Sequence, residues 1–380
     1  MRIGIDVRVL YNPLLKGIGV YLQNLLTNLA EIDQQNEYIL YYDGRQNTLS
    51  RKPNSNNFID KEISIKKGDQ FYLWEQLRLP LELKRDKIDI FHSPANTTMF
   101  YLACPTIVTV HDVHLQCITQ KNIIDGFYFK KLQPLILRRV KKIITPSNFS
   151  KDMVKKVMSI NESKIEIVPL GINDAFRIIN SKESINKIKD TYKISAQYIL
   201  NVGGESSWKN ISRLITAYAI LVKKYQIKEM LVITGIRTKS ILEKHLQEIS
   251  KLNLTNKVLI LGYIPEEDLI HLYNGAKVFV YPSLMEGFGL PPLEAMACGV
   301  PVVASNLTSI PEIVGDAALL FDGYNIQEIA NAIYKVIIND ELANELRKKG
   351  VQRVKQFNWR ITAQKTLQIY KNVLENKSKL

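Results

Sequence analysis

Glu286 and Glu294, with seven residues between them, bracket the turn Gly287-Phe288-Gly289-Leu290 and are the residues of this 380-residue chain best placed for chemistry. The apolar run Val278 to Tyr281 before them has the length and composition of a buried parallel strand. Pro291 suits the first turn of a helix, so Glu286 falls on a loop and Glu294 inside the helix. The glycines let the backbone turn tightly and come close to a ligand. A helix start offers unpaired N–H groups and a positive dipole end, which attract a diphosphate, while carboxylates accept hydrogen bonds from vicinal hydroxyls. The plainer reading is an ordinary strand-loop-helix with one capping Glu. Against it stands the register of both carboxylates with the turn, Ala295, Cys298-Gly299 and Pro301.

Other candidates follow apolar runs, where a parallel sheet places its ligands. Lys209 lies in the loop Gly203 to Asn210, between a strand ending at Val202 and the helical pattern Ile211 to Lys224. A cation is mildly unfavourable at a helix start, so a lysine there beside Gly203 and Gly204 suits a diphosphate. His111, followed by Asp112 and His114, comes after the strand Ile107 to Val110, where a structural histidine and a ligand contact are both open readings. Gly17 and Gly19 read as a turn between the first strand and a helix, able to admit a phosphate or an acceptor to backbone amides. Gly262-Tyr263-Ile264-Pro265 reads as a strand followed by a helix-initiating turn.

These residues need two sheets to position them. Short apolar runs alternate with helical patterns along the chain, the sequence form of a parallel sheet wrapped by helices. The first half offers strands at Ile3 to Asp6, Glu37 to Tyr42, Ile88 to His92, Thr106 to His111, Lys142 to Pro146 and Ile165 to Pro169, with a helix over Val20 to Ile32. The second offers Ile199 to Val202, Leu231 to Thr234, Val258 to Leu261, Val278 to Tyr281, Val302 to Ala304 and Ala318 to Phe321. The polar, lysine-rich stretch Asn173 to Ser195 reads as a linker. The expected domains are therefore residues 1–175 and 190–356, with a terminal helix over 357–380. No Gly-x-Gly-x-x-Gly follows the first strand of the second half, which argues against a nicotinamide or flavin enzyme.

Hydrophobic content of 46% and charged content of 23% fit a globular protein. No apolar run approaches the roughly 20 residues of a membrane span, and the N-terminus begins as a strand, so the expected location is the cytoplasm. Cys104, Cys117 and Cys298 lack metal spacing and read as reduced thiols. The net charge of +14 is uneven: Lys121 to Ile167 holds eleven Lys or Arg against four Asp or Glu. No nucleic-acid-binding motif accompanies it. Aromatic and aliphatic residues from Phe127 to Leu137 interleave with Lys130, Lys131, Arg138, Arg139, Lys141 and Lys142, which suits peripheral contact with an anionic membrane, here the inner face of the plasma membrane. A helix that buries its apolar side and solvates its charges fits the same pattern.

The Glu286-x7-Glu294 pattern closely resembles the signature of the family-4 retaining glycosyltransferases, and the sequence from Gly17 to Leu26 looks like their N-terminal glycine loop. Trp74 to Pro80 is similar to a segment of bacterial polysaccharide mannosyltransferases. The resemblance implies the α/β GT-B fold: two Rossmann-like doubly wound parallel-sheet domains facing a central cleft, with the last helix crossing back to the first domain. It implies catalytic roles for His111, Glu286 and Lys209. Donor-binding roles follow for Gly17, Gly19, Gly204, Lys209, Tyr263, Ile264, Gly287, Phe288, Gly289, Leu290 and Glu294. Many relatives carry an arginine where this chain has Gly204, and Arg237 is the substitute considered.

The expected reaction moves a hexose from a nucleoside diphosphate donor, GDP-mannose first, to a glycan or lipid-linked sugar in bacterial surface polysaccharide synthesis. The donor is a substrate; no other cofactor is expected, and the lack of an Asp-x-Asp motif argues against a metal. A nucleotide-sugar epimerase and a non-catalytic module that binds sugar nucleotides or membranes are the competing readings. Two carboxylates also suit a glycosidase, but no second acidic centre accompanies them.

Overall fold

The computed structural model describes residues 1–11, 17–43, 52–64, 73–113 and 127–375. His114 and Cys117 lie outside the described residues. The chain divides into two compact units, Met1–Gly171 with Asn358–Leu380, and Ile172–Phe357.

The first unit carries a parallel sheet of β1 (Arg2–Asp6), β2 (Glu37–Tyr42), β3 (Phe58–Glu62), β4 (Ile90–Ser93), β5 (Thr106–Thr109), β6 (Lys142–Thr145) and β7 (Ile165–Ile167). Their spatial order is β3-β2-β1-β4-β5-β6-β7. The second unit holds β8 (Tyr198–Val202), β9 (Met230–Thr234), β10 (Val258–Ile260), β11 (Val278–Tyr281), β12 (Val302–Ser305) and β13 (Ala318–Phe321), in the order β10-β9-β8-β11-β12-β13. Every pair in both sheets is parallel. Both orders reverse direction beside their first strand, between β1 and β4 and between β8 and β11. In doubly wound sheets that reversal opens a crevice at the carboxyl ends of the strands, and ligands bind there.

Apolar strands buried on both faces explain why these runs form a sheet core. Ile199, Leu231, Val278, Val280 and Val303 are fully buried and pack with Leu214 and Leu221 of the helix Ile211–Lys224 and with Ile333 and Val336 of the helix Ile326–Ile338. Side chains cap two of the helices that surround the sheet. Asn325 accepts from the N–H groups of Gln327 and Glu328, and Asn339 from that of Leu342.

Four expectations change. Gly17 and Gly19 lie within the first turn of the helix Gly17–Ile32 instead of forming a turn ahead of it, and neither has positive φ, so left-handed freedom is not what they supply. The stretch read as a linker carries the helix Lys182–Thr191, capped by Ser181 and followed by Tyr192, whose hydroxyl donates to Asp268. β3 was not expected, because an edge strand reading Phe-Ile-Asp-Lys-Glu buries little. β5 stops at Thr109, so His111 sits past the strand end.

The helix Trp359–Glu375 belongs to the first unit. Its Thr362 hydroxyl donates to the Pro169 carbonyl at 2.7 Å, and the fully buried Tyr370 hydroxyl meets His92 Nδ1 at 2.6 Å. His92 Nε2 meets the Thr109 hydroxyl at 2.8 Å, which in turn meets Tyr21 at 3.1 Å. Burial pushes the His92 imidazole down to about 3, so this polar chain is neutral.

Candidate active site

Two loops meet at the reversal between β8 and β11. The β8 loop ends in a short helical turn, Ser207–Lys209, and Asn210, at φ 64°, begins the next helix. The Asn210 amide donates to the carbonyls of Pro282 at 3.0 Å and Gly323 at 2.7 Å, which ties this loop to the loop after β11. A backbone bond from Leu284 N–H to the Trp208 carbonyl, at 2.8 Å, adds a second tie. Lys209 is therefore held by the backbone on either side of it.

On the β11 loop, Glu286 concentrates three donors on one oxygen. Its Oε1 accepts from Lys209 Nζ at 2.6 Å, from the Tyr281 hydroxyl at 2.7 Å and from Ser283 Oγ at 2.6 Å. Lys209 also donates to the Tyr281 hydroxyl at 3.1 Å. The pair is largely shielded, with side-chain exposures of 18% for Lys209 and 14% for Glu286, so the charge-assisted bonds are strong. Glu286 Oε2 accepts no bond from the described residues. The loop backbone is fixed as firmly: Glu286 N–H donates to Thr308 Oγ1 at 3.1 Å, and Ser309 Oγ donates to the carbonyls of Glu286 and Phe288 at 3.0 and 2.9 Å. Thr308, a β-branched residue, is held at φ 58°, the kind of backbone strain that clusters at functional sites.

Gly289 caps the helix Leu290–Ala297 at φ 102°, a conformation that favours glycine, and Pro291 occupies its first turn. Phe288 is buried and packs edge-on to Phe357 at 5.7 Å. Glu294, inside that helix, accepts from the buried Tyr273 hydroxyl at 2.8 Å. Burial raises its carboxyl to about 7, with the neighbouring Glu266 charge adding to the rise and the Tyr273 bond opposing it. A row of rings links the two carboxylates: Tyr281 lies 6.1 Å from Phe279, and Phe279 5.5 Å from Tyr273.

The carboxyl ends of β8, β9 and β10 also converge. Gly204, at φ 99°, lies so near Gly235 that a Cβ on Gly235 would stand 3.1 Å from the Gly204 nitrogen. Gly235 N–H donates to the Gly262 carbonyl at 2.9 Å, beside exposed Tyr263 and buried Ile264. Arg237 is exposed, and its backbone N–H donates to Glu205.

The remaining predicted residues belong to the other unit. His111 Nε2 meets the Pro94 carbonyl at 2.9 Å; a carbonyl only accepts, so Nε2 carries the proton and Nδ1 remains an acceptor. Burial lowers the pKa of this imidazole and keeps it neutral, and its ring stands edge-on to Tyr21 at 4.7 Å. Gly17 and Gly19 lie at the helix start described above.

Lys209 and Glu286 thus share one hydrogen-bond network, while Glu294 bonds Tyr273 separately and is connected to that network only by ring packing through Phe279. Tyr281, Ser283, Tyr273, Thr308 and Ser309 complete the arrangement, and sequence reasoning did not single them out. The one available signal was a tyrosine ending an apolar strand, where a polar tip meets the loop. A shielded cation beside a helix start and two carboxylates can hold an anion together with hydroxylated rings.

Doubly wound parallel sheets take their ligands at the reversal of strand order, where the Lys209–Glu286 pair lies, and this defines the chain as a two-unit α/β protein. Residues 184–353 match the family described as "Glycosyl transferases group 1", and residues 15–176 match "Glycosyltransferase Family 4". The chain is 30% identical over 373 residues to the O-antigen chain mannosyltransferase B of Escherichia coli, covering 94% of this chain and 96% of that protein. It is 31% identical over 252 residues to the serotype-specific mannosyltransferase WbdA of Escherichia coli, covering 66% of this chain and 31% of that protein. Anabaena HepE in complex with UDP and glucose shares the fold, with a TM-score of 0.77 at 17% identity over 98% of this chain and 100% of that one. The chain belongs to the family-4 glycosyltransferases and has the GT-B fold.

Proposed function

We propose that this glycosyltransferase moves mannose, with retention, from GDP-mannose to a hydroxyl of a glycan or lipid-linked sugar during assembly of an O-antigen-type surface polysaccharide. The observation that carries the reading is the Lys209–Glu286 pair, 2.6 Å apart on adjoining loops at the sheet reversal. Lys209 has three N–H bonds, and two of them go to Tyr281 and Glu286. The third is available to a diphosphate. As the anomeric bond breaks, negative charge grows on that leaving group. Lys209, together with the N–H groups of Phe288, Gly289 and Leu290 at the helix start, stabilises it.

Glu286 presents Oε2 to the sugar hydroxyls while its other oxygen stays anchored. Glu294 takes the ribose hydroxyls, and Tyr263 and Ile264 flank the base. The Gly204 backbone supplies an amide where relatives carry an arginine, with Arg237 as the nearby cation. For His111 the donor-sugar role rests on its sequence pattern, with Nδ1 as the accepting atom. Gly17 and Gly19 are assigned to phosphate or acceptor binding on sequence pattern too. Mannose as the transferred sugar follows the Escherichia coli relatives, both mannosyltransferases by name. UDP, bound by HepE, is the competing nucleotide.

The test is chromatography of GDP-mannose and UDP-glucose incubated with the protein, with and without a lipid-linked disaccharide acceptor. Acceptor-dependent release of GDP supports the reading. Conversion of the donor alone to an isomer would make the protein an epimerase, and binding without turnover would make it a module.

A further inference from the structure

The loop after β4 grips His111 at two points. Its Ser93 hydroxyl donates to the Thr97 carbonyl, which closes the loop. Within it the Pro94 carbonyl accepts from His111 Nε2 at 2.9 Å, and Asn96 Oδ1 accepts from the His111 backbone N–H at 2.8 Å. On the far side, Ser150 Oγ donates to the His111 carbonyl at 3.2 Å. Nδ1 is then the polar atom of His111 that takes no bond from the described residues. It is also reachable, because the unpaired side-chain atoms that lack accessible surface are those of Asp60, Thr98, Asn201 and Ser305.

Buried Asn96 is itself fixed by its backbone. It sits in the left-handed region at φ 67°, its N–H donates to the Thr109 carbonyl at 3.0 Å, and its carbonyl accepts from the Gln133 amide at 2.6 Å. Asparagine tolerates that conformation, and in an ordinary turn its oxygen bonds the adjacent backbone. Here the oxygen reaches a residue 15 positions away, just past β5. Tyr21, whose hydroxyl meets Thr109, backs the imidazole ring from a third element. A neutral imidazole protonated on Nε2 has a single acceptor, Nδ1.

We infer that the loop after β4 is a clamp with Asn96 as its positioning residue, holding His111 so that Nδ1 stands ready to accept from a hydroxyl of the donor sugar. The inference rests on the donor-sugar role proposed for His111 and adds the device that makes the role work. An acceptor fixed before the substrate arrives needs no ordering when it binds, and a small displacement of it is costly. Asn96 acts through His111, because its oxygen is spent on the His111 backbone.

The experiment uses the full chain as wild type and as Asn96→Gly, which keeps the left-handed backbone and removes the acceptor oxygen. Ser150→Ala takes its place if Asn96→Gly is unfolded at the assay temperature. Turnover of GDP-mannose with a lipid-linked disaccharide and GDP affinity by calorimetry are measured. Heteronuclear NMR spectra of the histidine rings are recorded as well, with His111 assigned by the loss of its signals in His111→Gln. The expected result is a kcat lowered about 10- to 100-fold with GDP affinity kept within about twofold. The wild-type spectrum should show His111 as the Nε2–H tautomer, with an Nδ1 signal that moves on adding GDP-mannose but not GDP. An unchanged kcat, GDP affinity that falls in step with kcat, an Nδ1–H tautomer in wild type or an Nδ1 signal indifferent to GDP-mannose would overturn the clamp. A wild type that turns over neither GDP-mannose nor UDP-glucose would overturn the proposed function instead, and the tautomer then decides the clamp by itself.

Discussion

At the carboxyl ends of β1 and β4, the Arg8 guanidinium bonds both oxygens of Asp6, at 3.0 to 2.6 Å, and one of Glu75 at 2.7 Å. At the ends of β8 and β11, Lys209 instead shares a single oxygen of Glu286 with Tyr281 and Ser283. The sheets run in corresponding orders, yet the two charge clusters differ in what they leave unspent. Around Arg8 every carboxylate oxygen accepts a bond, Glu75 also from Gln76 and Thr97, and Trp74 covers the guanidinium at 4.0 Å. Around Lys209 one ammonium N–H and one carboxylate oxygen remain uncommitted among the described residues. A saturated buried cluster holds a fold in place, whereas a cluster anchored on one side and open on the other can hold a ligand in place.

Substitutions should separate the two clusters. Arg8→Ala, which strands two buried carboxylates, is expected to cost about 3–5 kcal/mol of stability in denaturant unfolding. A loss under about 1 kcal/mol would show the cluster to be solvated. Lys209→Ala is expected to lower kcat/KM by about 100- to 1,000-fold. Its unfolding midpoint should move less than that of Arg8→Ala, because Tyr281 and Ser283 still bond Glu286. Tyr281→Phe removes one donor from Glu286 and one acceptor from Lys209, and about tenfold slower turnover with a near-native fold is expected. Turnover equal to wild type would reduce Tyr281 to packing.

The smallest effect concerns pH. Glu294 ionises near 7 because burial disfavours its charge. A protonated carboxyl is the weaker acceptor, so donor affinity should rise about threefold between pH 6 and 8 and be flat in Glu294→Gln. The same raised pKa means that the folded state holds this proton more tightly than the unfolded chain does. The linked stability is present in the usual carboxylate range and below, and is lost as pH rises through 7. Calorimetric titration of the donor across that range checks the binding.

Legibility followed the physics of each element. Runs such as Val278–Tyr281 and Ala318–Phe321 are apolar enough to read directly as buried strands, and the helix Ile211–Lys224 reads from its period. β3 was illegible because pairing with β2, not burial, makes it a strand. Lys209 and Glu286 stand out because charge after an apolar run is conspicuous. Their bonding partners do not: that Tyr281, Ser283 and Lys209 converge on one oxygen depends on two loops 72 to 77 residues apart meeting in space. Gly17 and Gly19 misled because a glycine pair looks the same inside a helix start as in a turn.

Nucleotide binding by the second unit is tested most directly by the melting temperature of the full chain with GDP, UDP and GDP-mannose, in wild type, Lys209→Ala and Glu286→Gln. A ligand that binds only the folded state raises that temperature. The account predicts that GDP stabilises wild type and Glu286→Gln alike but not Lys209→Ala, and that GDP-mannose adds a further increment that Glu286→Gln loses. A GDP shift undiminished in Lys209→Ala, or no shift with any nucleoside diphosphate, would contradict it.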